Sequence, residues 1–354
     1  MRRSDPCALV YHGPNDIGVE ERPDPQPGPD EVLLRITATG ICGSDLHGYT
    51  GENKRRHPGQ VMGHETVGRI VAVGADAAGE GREPGRVATV NPVIGCGECA
   101  QCAAGSEQLC PRRKVIGVDR EIESAFAELM LAPARNVVVL PDDMPEEWGA
   151  LVEPLSVGYH AARSGGVAPD DTVLVIGGGP IGQACALAAR RLGAEQVVVS
   201  EPGTARRRLV EKLGFGTIDP TTGDLADQVQ NALGRPATAV LDAVGTSRTV
   251  GDALRASSLG ARIVLVGMGS RELTLAAFDV TTFERSIIGS FTYPSREFRE
   301  TAEWVASRPE GLAHLIDDRV GLDDAPDAFA RLASGDLDAS KIMVFPQGPR
   351  SAGG

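Results

Sequence analysis

Several things are scarce in this chain of 354 residues, and each scarcity excludes something. Basic charge is one: 35 Lys and Arg face 48 Asp and Glu, for a formal charge of −13. Such a surface repels nucleic-acid backbones and anionic lipid headgroups, which leaves small molecules and sister subunits as partners. Lysine occurs only at Lys54, Lys114, Lys212 and Lys341, a bias toward arginine with no mechanistic content. Long apolar runs are missing too. None approaches eighteen residues, and the arginines of MRRSDPCALV have no apolar stretch behind them, so neither a spanning helix nor a secretion signal is expected. The expectation is a soluble cytoplasmic protein with sparse aromatics and ample apolar content for buried cores. Cysteine is rare at seven residues, yet four of them crowd into GCGECAQCAAGSEQLCP. In a reducing compartment, clustered cysteines serve more often as metal ligands than as disulfides.

The length exceeds one core of roughly 100 to 200 residues, so two domains are expected. Residues 7–140 carry short β-rich runs such as EVLLRITATG, TVGRIVAVG and NVVVLP between Gly/Pro-rich turns, the texture of an antiparallel β domain. From about residue 172 the period changes. TVLVIGG reads as a buried strand, IGQACALAARRLG as a helix and QVVVSEP as a strand; AVLDAVG, SRTVGDALRASSLG and ARIVLVGMG repeat strand, helix, strand. That order implies parallel βαβ units in a doubly wound sheet. Two amphipathic helices follow, in SREFRETAEWVAS and DAPDAFARLAS, then a closing strand, KIMVFP, and a Gly/Ser-containing tail.

Cys96, Cys99, Cys102 and Cys110 are spaced C-x2-C-x2-C-x7-C in a loop punctuated by glycines. Four thiolates on a flexible loop suit tetrahedral Zn2+, and a set made wholly of cysteine leaves no open position, so such a zinc is structural. A redox pair and an iron–sulfur cluster are the competing readings. A second constellation is dispersed: Cys42 in ICGSDLH, His64 in GHE, and a carboxylate from Glu65 or from Glu153 in LVEPLSVGYH. A mixed S, N, O set of three protein ligands with one open position is the pattern of a catalytic zinc. Asp45 is the expected acceptor that fixes the tautomer of a ligating histidine. His12, His57, His160 and His314 have no such company.

VLVIGGGPIG places Gly177, Gly179 and Gly182 in G-x-G-x-x-G register, with Pro180 and Ile181 between, after an apolar strand and opening a helix. The first glycine permits the turn, the second lets backbone N–H groups approach a pyrophosphate, and the third lets helix and strand pack closely. Glu201 is the acidic residue expected about twenty positions on, an acceptor for ribose hydroxyls that repels a 2′-phosphate, so NAD is expected over NADP. Arg206, Arg207 and Arg208 follow closely and soften that exclusion.

With these patterns in this order, the chain resembles the zinc-dependent medium-chain dehydrogenase/reductases over nearly its whole length. The likeness rests on CGSDLH, GHE, the four-cysteine lobe, LVEPLSVGYHA, VLVIGGGPIG and SKIMVFP. It implies an α/β architecture: a GroES-like, mainly antiparallel β catalytic domain from residues 1–156 and 291–354, with a zinc lobe at about 91–114, and a Rossmann domain at 157–290. EPL at 153–155 resembles the sorbitol, butanediol and threonine dehydrogenase branch. By that resemblance Cys42 and His64 are zinc ligands, and Glu65 and Glu153 compete for the remaining place, one direct and one through water. Ser44 falls where the family takes the substrate proton, and His47 where the relay ends. Family cofactor contacts carry over to Ile181, Glu201 and Arg206, to Val266, Gly267 and Met268, and to Phe291, Thr292 and Tyr293. Lys341 sits where a basic residue meets the pyrophosphate.

The implied activity is hydride transfer between a secondary alcohol and NAD, with one catalytic and one structural zinc. Gly48 and Thr292 stand where animal sorbitol dehydrogenases carry Tyr and Arg against the polyol, and SEPGTARRRLVEKLG is closer to bacterial butanediol-type enzymes. A smaller vicinal diol, a polyol or a cyclitol-like hydroxyl is therefore expected. PGR at 84–86 and ESAFAE at 123–128 depart from the family as loop variation. The alternatives are a ketone or aldehyde reductase using NAD(P)H and an idle dinucleotide-binding relative. A homo-tetramer or homo-dimer is expected, with the last Rossmann strand, near RSIIGSF, at the subunit contact.

Overall fold

The computed structural model describes residues 5–52, 54–335 and 340–348; most of the Gly/Ser-containing tail lies outside them. The chain forms two compact units, one drawn from residues up to Glu153 and again from Pro294 onward, the other from Pro154–Tyr293.

The first unit is organised by the strand Glu31–Gly40, whose alternating β-branched and leucine residues are almost all buried. It pairs antiparallel with Glu65–Val73 and with Leu129–Pro133. It also pairs antiparallel with Ile342–Phe345, which in turn lies parallel to Asp318–Gly321. The two ends of the unit thus share one seven-stranded sheet. This sheet is antiparallel apart from that final pair, close to the expected texture. A backbone clash fixes part of the register. A Cβ at Gly68 would stand 2.4 Å from the Arg35 carbonyl oxygen, so only glycine lets these strands approach. The pairing ends at Gly40 opposite Glu65, two residues before Cys42. On one side of the sheet Phe126 meets Phe329 edge to face at 5.5 Å, with Tyr49 against the same ring, in a core that also takes in Leu9, Ile342 and Val344.

In the second unit the strands are β1 (Thr172–Ile176), β2 (Gln196–Ser200), β3 (Gly216–Ile218), β4 (Ala237–Asp242), β5 (Ser257–Leu265) and β6 (Ser286–Gly289). They are all parallel and ordered 3-2-1-4-5-6, the doubly wound arrangement that places a ligand at the switch point beyond the carboxyl end of β1. Every residue of β1 is buried, as its continuous apolar run requires between two helical layers. One boundary differs from the sequence pattern. The helix read through SRTVGDALRASSLG ends at Ala256, and SSLG already belongs to β5, because Ser257 pairs with Ala237 in the parallel ladder. Leu259, apolar in the pattern, is left 74% exposed.

Candidate metal centres and dinucleotide site

Cys42 caps the short helix Gly43–Tyr49 in extended conformation, and its N–H donates to Asp45 Oδ2 at 3.2 Å while the Asp45 N–H returns to the Cys42 carbonyl. The cap therefore aims the thiol and orients Asp45 together. His64 follows Gly63, whose φ of +101° is a left-handed conformation that favours glycine, and a Cβ there would stand 2.9 Å from the Phe126 nitrogen. Glu65 opens its strand opposite Gly40, where a Cβ would lie 2.1 Å from Glu65 Oε2. Gly40 thus clears the space into which the carboxylate turns, and Gly63 lets the turn before His64 pack against Phe126. The donor atoms of Cys42, His64 and Glu65 lie within 4.8 Å of one another. Glu153, 7% exposed in the first turn of the helix Val152–Ser164, is near enough for its charge to act on Lys341.

The surroundings hold these groups in place. Asp45 is fully buried, with Oδ1 3.6 Å from His64 Nδ1 and 3.6 Å from Arg56 Nη2, both just beyond hydrogen-bond length. Desolvation works against its charge, yet His64, Arg56 and the Cys42 N–H together keep its pKa below the usual carboxylate value. Desolvation also opposes a charged His64, but Asp45 and Cys42 outweigh it and raise the imidazole well above its ordinary range. Lys341 is 3% exposed; its ammonium bonds Glu65 Oε2 at 2.5 Å and the Ile41 carbonyl at 3.2 Å. Burial alone would lower its pKa, and Glu65, Cys42 and Glu153 reverse that. The residue expected at a pyrophosphate is therefore engaged with Glu65. Ser44 and His47, three apart, share a face of the helix Gly43–Tyr49; His47 is exposed and bonds Glu52 at 2.7 Å, a partner that the sequence did not announce. A buried cluster of thiol, imidazole and carboxylates, with two cations beside it, fits a divalent metal that accepts S, N and O donors.

In the cysteine lobe the four sulfurs also lie within 4.8 Å of one another, and Cys96 and Cys102 are 3.9 Å apart. Zn–S bonds of about 2.3 Å place tetrahedral sulfurs about 3.8 Å apart, so one zinc fits and a multi-iron cluster has no room. The strands Val93–Ile94 and Lys114–Val115 pair at the lobe's base and bring its ends together. Cys99 caps a one-turn helix that carries Cys102. The backbone N–H of Glu98 is the largest influence lowering Cys96, to about 6, while burial raises Cys102 to about 11. Arg112, unmarked in the sequence, donates to Cys96 Sγ at 3.2 Å. All seven cysteines are free thiols.

In the second unit Gly177 has φ +97°, and a Cβ on Gly182 would stand 1.7 Å from the Gly177 carbonyl oxygen. At Gly179 a Cβ would meet nothing within 4 Å, so the loop is open where a phosphate would approach. Pro180 is the first residue of the helix Pro180–Arg191, and Ile181 follows it, half-buried. Glu201, at the end of β2, is 4% exposed and accepts N–H bonds from Gly178 and Gly203, both at 2.7 Å. Arg207 is drawn back onto the Glu201 and Pro202 carbonyls and Asp219, whereas Arg206 is exposed. Asp242, missed in the sequence, organises the loop after β4. Buried at the strand end, it accepts from the Val244 and Gly245 N–H groups and Thr249, and its carbonyl takes Val266 and Gly267. Backbone contacts at Gly245 and Gly267 then present Met268, 70% exposed. Phe291 is 41% exposed, Tyr293 is wholly buried, and Thr292 holds φ +52° with a buried hydroxyl that has no hydrogen-bond partner among the described residues.

Fold and donor sets together define a zinc-binding, dinucleotide-linked oxidoreductase. The profile of the alcohol dehydrogenase GroES-like domain matches residues 28–142, and that of the zinc-binding dehydrogenases matches residues 180–307. The chain is 30% identical to the sorbitol dehydrogenase of Bacillus subtilis (strain 168), over 96% of this chain and 97% of that one. It is 32% identical to the 2-dehydro-3-deoxy-L-galactonate 5-dehydrogenase of Pseudoalteromonas atlantica, over 95% and 98%. A protein of Sinorhizobium meliloti 1021 described as a zinc-binding dehydrogenase, solved with NADP, superposes with a TM-score of 0.88 at 32% identity, covering 97% of this chain and all of that one. The chain belongs to the zinc-dependent medium-chain dehydrogenase/reductase family, in its sorbitol dehydrogenase-like branch, and is a dehydrogenase acting on alcohols. No helix among the described residues is long and apolar enough to cross a membrane.

Proposed function

We propose that the protein oxidises a secondary hydroxyl of a vicinal diol, polyol or cyclitol-like compound with NAD, using a catalytic zinc at Cys42, His64 and Glu65 and a structural zinc at Cys96, Cys99, Cys102 and Cys110. The convergence of Cys42, His64 and Glu65, from three separate segments onto donor atoms within 4.8 Å, carries this reading. When bound, the zinc supplies the Lewis acidity that lets an alcohol lose its proton near neutral pH, and the nicotinamide accepts the hydride. Asp45 faces Nδ1 of His64 and leaves Nε2 for the metal. Lys341 occupies Oε2 of Glu65 and leaves Oε1. Glu153, buried and near enough to act on Lys341, is the carboxylate assigned to act through a water molecule. Ser44 takes the hydroxyl proton and His47, exposed and paired with Glu52, delivers it to solvent.

Residues 154–293 serve as the dinucleotide-binding unit, with Glu201 at the end of β2 favouring NAD. Exposed Arg206 and the NADP of the Sinorhizobium relative make NADP the necessary comparison. The sorbitol and sugar-acid relatives support a polyhydroxylated substrate. The edge strand β6, with Phe278 (81% exposed) and Phe283 nearby, supports a homo-dimer or homo-tetramer. The test is NADH formation with vicinal diols, sugar alcohols, cyclitols and threonine, with and without a zinc chelator, and again with NADP. Chelator-sensitive turnover on one class, from protein holding two zinc per chain, is the expected result. A single zinc and silence across the panel would sink the proposal.

A further inference from the structure

The donor groups do not account for Arg56. Its side chain is 1% exposed, and Nε, Nη1 and Nη2 all lack a hydrogen-bond acceptor among the described residues. A guanidinium carries five N–H donors and does not give up its proton, so a fold that buries one without acceptors has put it there for an anion. The anion at hand is Asp45, itself fully buried, with Oδ1 3.6 Å from Arg56 Nη2. The same oxygen stands 3.6 Å from Nδ1 of His64, which is also buried without a partner. Oδ1 therefore lies against both a cation and a metal-binding imidazole. A movement of about half an ångström brings each to bonding distance.

Gly48 explains how the guanidinium comes to be there. A Cβ at this position would stand 2.7 Å from Arg56 Cγ and 2.9 Å from Nε. Arg56 in this place and any larger residue at position 48 exclude one another, so the missing side chain at Gly48 and the buried cation are a single feature.

We infer that Arg56 is a positioning residue of the metal centre, seated in the space that Gly48 leaves open and holding the Asp45 carboxylate against Nδ1 of His64. It acts through Asp45. A carboxylate held in this way keeps the proton on Nδ1 and the lone pair of Nε2 directed at the metal. Without the guanidinium, Asp45 keeps its bond from the Cys42 N–H but loses its cation, and the imidazole loses a fixed acceptor. The inference rests on the metal-centre reading above and adds to it the group that holds the histidine's support in place.

The experiment is chelator competition for the catalytic zinc in the full chain, with lobe zinc as the internal measure of folding, for the wild type, R56M, R56K, D45N and D45N/R56M. We expect R56M to loosen the catalytic zinc by about 10- to 100-fold, R56K to recover most of that loss, and D45N/R56M to be no looser than D45N. Catalytic-zinc affinity in R56M within about twofold of the wild type, or an effect of R56M undiminished in the D45N background, would overturn the inference. A rise in KM for an acidic substrate with unchanged zinc affinity would overturn it also, by assigning the guanidinium to substrate recognition. If R56M loses the lobe zinc as well, Gly48→Ala decides: it keeps every charge but crowds Arg56, and zinc loosened about three- to tenfold supports the inference, whereas unchanged zinc defeats it. A wild type that holds only lobe zinc would overturn the metal-centre reading, and this inference with it.

Discussion

The two sulfur-bearing clusters of this protein gather their donors in opposite ways. In the lobe, fifteen consecutive residues supply all four sulfurs, one buried and three half-exposed, and a two-stranded base with a single turn of helix suffices to converge them. The Cys42 cluster draws on a helix cap, a left-handed turn and the start of a strand, with two of its three donors backed by a further buried group: Asp45 for His64, Lys341 for Glu65. A closed thiolate set needs little around it. An open, chemically active set must be oriented by its surroundings, because the position left free for substrate no longer constrains the others.

That contrast can be broken or sharpened by substitution. The largest effect is expected at the donors of the open cluster: C42A or H64A should lower turnover by on the order of 10³-fold or more, through loss of Lewis acidity worth several kcal/mol. NAD affinity from a fluorescence titration should change by less than about threefold, since the glycine loop and Glu201 belong to the other unit and keep their own bonds. If dinucleotide binding collapses in parallel, the open cluster is holding the fold as the lobe does. Next in size is K341M, which leaves Glu65 buried without its cation; kcat/KM should fall by about 10- to 100-fold, and a K341M enzyme with wild-type kinetics would remove the lysine from the support of that carboxylate. In the lobe, C102S should abolish one zinc and lower Tm, by about 2–4 °C for each kcal/mol lost, while kcat falls less than about tenfold. A larger fall in kcat than in stability would erase the distinction between the two clusters.

The smallest effect serves as a control in the other unit. Asp171 accepts bonds from Thr238 and the Ala168 N–H and pairs with Arg262. Desolvation is the largest influence on it, but these partners outweigh it and hold its pKa below the usual value. Its stabilisation is therefore present above about pH 4, the ordinary value, and is lost as pH falls through the lowered folded value. D171N should cost about 1–3 kcal/mol at neutral pH in denaturant unfolding and flatten the acid limb of the stability curve, with zinc content unchanged.

What could be read from the sequence follows the same division. The lobe was legible because its donors are adjacent, and the glycine fingerprint because its turn, strand and helix are consecutive. Cys42, His64 and Glu65 were legible as motifs, and Glu65 and Glu153 were left as competitors. The opposition of Gly40 and Glu65, which gives that carboxylate its space, is a product of a ladder between strands and has no local signature. The Lys341–Glu65 pair, 276 residues apart in sequence, had no local signature. Arg56 sits in a polar run, ENKRRHPG, that reads as a solvated loop; only the space at Gly48 turns one of its arginines inward. The early start of β5 was hidden because SSLG continues a helical pattern until the partner strand claims it.

The strand Ile342–Phe345 has a consequence for how the protein is born. It lies between Glu31–Gly40 and Asp318–Gly321, with Met343 and Val344 wholly buried. As the chain leaves the ribosome, the unit Pro154–Tyr293 is contiguous in sequence, whereas the unit that starts before it must wait with an open strand edge until Ile342–Phe345 arrives. Lys341 comes with that strand. The ammonium that pairs with Glu65 is thus put in place only after the whole second unit has been made, long after Cys42, His64 and Glu65 themselves have emerged.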